Sequence, residues 1–495
     1  MALLLYAAIF FFSLLYFFNR RRSCKHPLLS DYPILGMLPP VLFNLWRIHD
    51  FFTDILTKHG GSGEFKGPWF TKMNYLVTCD SLNVQHMLCK CFDNYMKGPE
   101  FREIFEPFGD GVVTADSETW KYVRTLLHSL VKQRRFEAFV DQTVQNKVHA
   151  CLLPILDHLQ QQGKVVDLQD VFNRFTFDNI CSTVVGCDPM CLSIDFPEVA
   201  IERAFNESEE SIFYRHTVPM SVWKFQKWLQ IGQEKKMTEA IKTFDEFIYS
   251  CITSKREKLS KCSKEEIDEA PFDLLTALIT AEKGEKRVHS DKFLRDAAFN
   301  FFVAGRETMT SALTWFFWLV TKHPLVEAQI LEEIKDEGVL GMEEVKKLVY
   351  LHGALCEALR LFPPIPIERK QAIKADTLPS GHHVNPNTMI LFSLYAMGRF
   401  EEIWGKDCLE FKPERWIYRG EVVYAPSYKF IAFNAGPRTC LGKDLAFVQM
   451  KMVAAAILLK YRFQVVEGHV AAPSHSIVLL MKDGLKVRIT KRESI

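Results

Sequence analysis

The stretch FNAGPRTCLG, residues 433–442, sets one cysteine between two glycines, with an arginine two residues before it. It leads into an apolar helical run, LAFVQMKMVAAAILLKY. A thiolate just ahead of a helix is held by backbone N–H groups and by the helix's positive end, which lowers its pKa and leaves the sulfur as a metal ligand. Gly436 and Gly442 let the backbone approach a flat cofactor closely, and Arg438 matches a carboxylate on it. A loop cysteine alone is more often structural; the full pattern around Cys440 shifts the balance towards a ligand. Glu357 and Arg360 form an (i, i+3) pair in the largely apolar LVYLHGALCEALRLF, and a further charge, Arg415, follows in FKPERW. Such a pair is usually a surface contact of little worth. Ala304-Gly305-Arg306-Glu307-Thr308 interrupts an apolar helix with residues that are locally unfavourable there. Either Thr308 bonds back to the Ala304 carbonyl, or the helix opens locally and presents an acid–alcohol pair for proton transfer. Trp120 and Arg124 stand one helical turn apart; taken alone they are an amphipathic face.

The elements that must position these groups are mainly helical. SETWKYVRTLLHSLVKQRRFEAFVDQTVQNKVHACLLPILDHLQQQG reads as successive helices ending at Gly163, and a buried central helix runs from Ser290 to about His323. Strands are expected in YLVTCD, in HVNPNTMILFSL and in SIVLLMKDGLKVRIT, with a hairpin turn at Asp483-Gly484. The charged run from Lys255 to Glu269 reads as an exposed loop. The 495 residues carry a net charge of +1, so there is no basic field to suggest nucleic acid. The 13 cysteines form neither a disulfide framework nor a closed zinc site, and read as reduced. Residues 1–22 form an uncharged apolar run followed by three arginines, the order of a membrane anchor with the body on the cytoplasmic side and not of a cleaved signal. Residues 23–41, rich in proline, read as a stiff extended connector, and 42–495 as one domain.

In their order along the chain these motifs resemble those of the cytochrome P-450 monooxygenases. The resemblance implies a mainly α fold with a small β portion behind an N-terminal transmembrane anchor helix. It implies haem b with Cys440 as the axial ligand to iron. Phe433 and Arg438 belong to the same cofactor loop, and Trp120 and Arg124 would hydrogen-bond a haem propionate. Glu307 and Thr308 would deliver protons to bound dioxygen, and Glu357, Arg360 and Arg415 would form a structural triad. The implied partners are O2, a small hydrophobic organic substrate, the membrane and NADPH-cytochrome P-450 reductase, since the chain has no Rossmann-type fingerprint of its own. The implied location is the endoplasmic reticulum membrane, single-pass, with the catalytic body in the cytosol. The alternative from another class is a haem protein that does not activate dioxygen; the presence of Glu307-Thr308 argues against it.

More narrowly, YKFIAFNAGPRTCLGKDLAFVQMKM, LTWFFWLVTKHP and DYPILGMLPP resemble the plant branch of fatty-acid ω-hydroxylases and mid-chain alkane hydroxylases, a group that also includes noroxomaritidine synthases, which couple two phenol rings of one alkaloid precursor. Phe299, Phe301, Phe302, Ala304, Pro364 and Ile365 are candidate pocket residues. The three phenylalanines are read either as stacking surfaces for an aromatic substrate or as ordinary core. With Glu368 and Arg369 placed near the entrance, phenol coupling of an O-methylnorbelladine-type precursor is set ahead of mid-chain alkane hydroxylation.

Overall fold

The computed structural model describes residues 25–493 and Ser13, apart from residues 70, 72, 264, 267–270, 286–288 and 336–340. The expected anchor lies, Ser13 excepted, outside these residues. Among the described residues no helix is long and apolar enough to cross a membrane. In chain order the strands used below are β1 (Ser62–Lys66), β2 (Asn74–Thr78), β3 (Tyr95–Met96), β4 (Val166–Asp167), β5 (Ile367–Ala372), β6 (Met389–Ser393), β7 (Tyr461–Val465) and β8 (Lys486–Lys491). The helices are α1 (Ser117–Val131), α2 (Leu168–Val185), α3 (Ala200–Thr217), α4 (Gly232–Lys261), α5 (Asp291–Gly305), α6 (Glu307–Lys322), α7 (Val349–Leu361) and α8 (Lys443–Lys460). The chain divides into two compact units, one of Met1–Gly98, Pro366–Leu409 and Pro426–Thr439, the other of Pro99–Ile365, Glu410–Ala425 and Cys440–Ile495.

The first unit is built on a five-stranded sheet of order β1-β2-β6-β5-β3, with β2 and β6 parallel and the other neighbours antiparallel. Its apolar side is closed by Leu28, Met37, Leu56 and Val84. The proline-rich connector is not extended. Gly36 turns the chain at φ +60°, where a Cβ would stand 2.3 Å from the Gly67 carbonyl oxygen. Pro39 and Pro40 then open a short helix, Leu38–Phe43; the first turn of a helix needs no N–H, so proline fits there.

In the second unit α6 is buried on nearly all sides and packs against α2, α7 and α8. Ser311 Oγ and Trp315 Nε1 both donate to the Leu479 carbonyl, at 2.8 and 2.6 Å, and the Trp315 ring stacks on Phe362 at 4.0 Å. The expected terminal hairpin is only half present. Gly484 turns the chain, but residues 476–480 form no strand, and β8 pairs with β7 and β4. The reason is competition for the backbone: Leu479 N–H donates to Pro364, its carbonyl serves Ser311 and Trp315, and the Met481 backbone is held at both ends by the Gln169 amide. The expected loop at Lys255 is helix as far as Lys261, because Lys255 bonds Asp273 at 2.5 Å and Arg256 bonds Glu282 and Asp291.

Helices α3 and α4 are clamped by a fork of Arg215 on Glu234, with Nε–Oε1 at 2.8 Å and Nη2–Oε2 at 2.7 Å, both side chains 1% exposed. Glu234→Ala leaves a buried guanidinium without its carboxylate, and is expected to cost about 3–5 kcal/mol in a urea titration. A loss under about 1 kcal/mol would mean that the pair contributes no more than a surface contact.

Candidate active site

The central apolar run is two helices. It breaks at Arg306, whose backbone sits at φ −88°, ψ −79° between α5 and α6. The cause is visible in the side chain. Arg306 is 1% exposed, in an apolar stretch where a guanidinium must be paired. It reaches α3, donating to Glu202 Oε1 at 3.1 Å and to Asn206 Oδ1, and lies over the rings of Phe177 and Phe205 at 5.1 and 5.0 Å. Gly305 packs closely as well: a Cβ there would stand 2.6 Å from Ile180 Cδ1 on α2, so that side chain would have to shift. Thr308 Oγ1 donates to the Ala304 carbonyl at 2.6 Å, so the opening and the back-bond occur together. Ala304 and Thr308 keep accessible surface, with Phe301 on the same stripe, whereas Glu307 is buried and points towards α3 beside Arg306, 3.9 Å away.

The structure brings Glu357, Arg360 and Arg415 together around one buried carboxylate. Glu357 is wholly buried. Its Oε1 accepts from Arg360 Nη2 at 2.7 Å, from Arg415 Nε at 3.2 Å and from the Lys412 N–H at 3.2 Å; its Oε2 accepts from Arg360 Nε and Trp416 Nε1, each at 2.8 Å. Sequence reasoning missed Trp416, although an indole immediately after Arg415 was the signal available. It also missed the role of Arg306, signalled by a charge inside an apolar helix.

Cys440 opens the approach to α8. It keeps accessible surface, yet the protein around it desolvates the thiol and pushes its pKa above the ordinary value, against the pull of the Gly442 N–H, Arg124 and Lys443. This corrects the expectation of a lowered pKa: in the protein alone, desolvation outweighs the donors. Burial draws the Arg124 guanidinium down while Cys440 draws it up, so α1 does carry Arg124 within electrostatic reach of the sulfur. Trp120, one turn earlier, is buried.

Phe433 and Arg438 belong to the first unit. Asn434 holds the loop at φ +60°, its amide donating to Glu368 Oε1 at 3.3 Å. Gly436, at φ +63°, is there for the backbone: a Cβ would stand 2.0 Å from the Leu88 carbonyl oxygen. Its close neighbour is thus the backbone of the helical segment His86–Lys90 of its own unit. Burial raises the Glu368 carboxyl, but Lys97, Lys370 and Arg438 outweigh it and hold it below the usual range. Arg369, 8% exposed, lies beside it on β5, whereas Glu368 is half-buried.

Of the two readings of the phenylalanines, core packing describes Phe299 and Phe302. Phe299 and Phe302 have no exposed surface and close on Phe244, at 4.7 and 5.1 Å, within a cluster that includes Phe108, Phe177 and Phe205. Helix periodicity turns positions 299 and 302 away from the stripe of 301, 304 and 308. Pro364 is buried and Ile365 half-buried; the Pro364 carbonyl is occupied by Leu479.

The family model described as cytochrome P450 matches residues 27–488. The chain is 42% identical to alkane hydroxylase MAH1 of Arabidopsis thaliana, over 99% of this chain and 100% of that protein. It is 41% identical to cytochrome P450 86B1 of the same plant, over 95% and 87% respectively. It is 40% identical to a noroxomaritidine synthase of Narcissus aff. pseudonarcissus MK-2014, over 98% and 95%.

Glu357→Ala would strand two guanidinium groups and an indole N–H at one point. It is expected to destabilise the chain by about 3–5 kcal/mol, measured as the change in urea midpoint. If Glu357→Ala unfolds at the wild-type midpoint, the carboxylate does not hold this region together.

Proposed function

The chain belongs to the cytochrome P450 family of haem-thiolate monooxygenases, and from that premise we propose that it hydroxylates an unactivated C–H bond in a long aliphatic chain. The observation that carries this reading is the face of the broken helix. Phe301, Ala304 and Thr308 are accessible there, while Phe299 and Phe302 are spent on the core. One ring and two small residues suit a slender chain better than two phenol rings. The full-length likeness to an alkane hydroxylase supports it. Intramolecular phenol coupling is the second reading, favoured by the accessible Phe301 ring and by the likeness to noroxomaritidine synthases.

Haem b, which the family binds through a cysteine thiolate, supplies the activation of dioxygen, with electrons from NADPH-cytochrome P-450 reductase. The donor set of this chain fits that group. A soft sulfur with accessible surface, met by a backbone N–H and faced by a guanidinium, suits iron in a porphyrin and not a hard cation. Cys440 Sγ would be the protein's ligand to the haem iron, and coordination to a cation would favour the thiolate that burial disfavours. Trp120 Nε1 and the Arg124 guanidinium would serve a propionate as N–H donors; the Arg438 guanidinium could pair with a carboxylate of the same group, and Phe433 belongs to its loop. Thr308 Oγ1 donates to the Ala304 carbonyl and presents its lone pairs to the accessible face; in this reading Glu307 supplies the protons, Thr308 taking one on a lone pair as it passes its own hydroxyl proton on. Residues 1–22 anchor the chain in the endoplasmic reticulum membrane, with the body in the cytosol.

Microsomes containing the chain and a plant reductase, supplied with NADPH, decide the substrate by mass spectrometry. A long-chain alkane is expected to gain one oxygen. An O-methylated norbelladine losing two hydrogens, with the alkane untouched, would replace this reading by the second. Cys440→Ala is expected to abolish the red-shifted band of the reduced CO complex; a surviving thiolate-type band would refute the ligand assignment.

A further inference from the structure

The buried charge at the helix break continues along α3. Glu202, Phe205, Asn206 and Glu209 fall at the spacing of a single helix face. The first three contact Arg306, and the fourth, one turn on, is hydrogen-bonded to Glu307. Two carboxyl groups in a hydrogen bond need a proton between them. Glu209 Oε2 is buried and finds no donor among the described residues. As a carboxylate it would be desolvated and unmet, whereas as an acid it donates to Glu307 and satisfies both groups.

From this geometry we propose that Glu209 and Glu307 share one proton, and that Glu209 is a positioning residue that reloads Glu307 from the α3 side. The inference rests on the reading of Glu307 and Thr308 as the proton-delivering pair. The shared proton passes from Glu209 to the Glu307 carboxylate, leaving Glu209 as the carboxylate, and Glu307 then gives that proton on towards Thr308 and is a carboxylate again. Water then returns a proton to Glu209, whose residue keeps some accessible surface although Oε2 is buried, while Glu307 is buried. Desolvation, reinforced by the Glu307 charge and hydrogen bond, pushes the Glu209 pKa well up, and Arg306 only partly offsets it. Those two residues are the charges that face it; on α4, packed against the same helix, Glu234 and Asp245 are committed to Arg215 and Arg295.

The test is infrared spectroscopy of the haem-loaded, full-length protein in H2O and D2O. Wild type is expected to show a protonated-carboxyl C=O band that shifts in D2O. Glu209→Gln and Glu307→Gln should each remove it, whereas Glu209→Asp should keep it. With the thiolate-type CO band intact as the folding control, Glu209→Gln should also raise the peroxide released per NADPH several-fold. Absence of the band in wild type, its survival in Glu209→Gln, or unchanged peroxide in that variant overturns the proposal. Thr308→Ala, measured alongside, separates the two ideas: unchanged peroxide there sinks the proton-delivery reading itself, while the infrared band still reports whether the two carboxyls share a proton.

Discussion

A charged group removed from water must be met by partners on every side, and that requirement organises the second unit of this chain. Glu357 is the clearest case. One buried carboxylate receives two guanidinium groups, an indole N–H and a backbone N–H. Removing any donor leaves the rest imperfectly matched, so α7 and the segment Pro413–Trp416 are held in one relative position. Such a network is weak evidence for net stability, because desolvating the ions offsets much of the attraction. Its consequence is geometric: few arrangements of these two elements satisfy all the donors at once.

Arg306 applies the same constraint to a helix. An apolar helix has no reason to break where it does, but a guanidinium placed within it has to find acceptors, and those acceptors are on α3. The chain leaves helical geometry for one residue to reach them. That single departure has three results. It opens the helix beside Thr308, sets Glu307 towards α3, and brings Glu307 to Glu209. The acid and the alcohol are adjacent in sequence yet face different surroundings.

The aromatic residues near the helix break obey no such strict rule. Phe299 and Phe302 are placed by helical periodicity against Phe244, and an apolar ring is content in either a core or a pocket. Aromatic composition near a site is therefore a poor guide to what binds there. The faces of α5 and α6 are a better one, since they separate the rings that remain accessible from those that have already found partners.

Helix and strand content, the successive helices ending at Gly163, and the charges of the Glu357 cluster were all legible in the sequence, because period, capping and spacing are local properties. Cysteine, arginine and glycine at fixed offsets around position 440 were legible for the same reason, and they carried the family resemblance. What only the tertiary structure decided is which group each buried polar atom meets. Leu479 takes hydrogen bonds from Ser311 and Trp315, so the terminal hairpin gives way to pairing of β8 with β7. Gly436 meets the Leu88 carbonyl, and Cys440 is desolvated more than its donors repay. Local sequence sets backbone preference over a few residues, whereas hydrogen-bond satisfaction and desolvation depend on atoms brought together from hundreds of positions away.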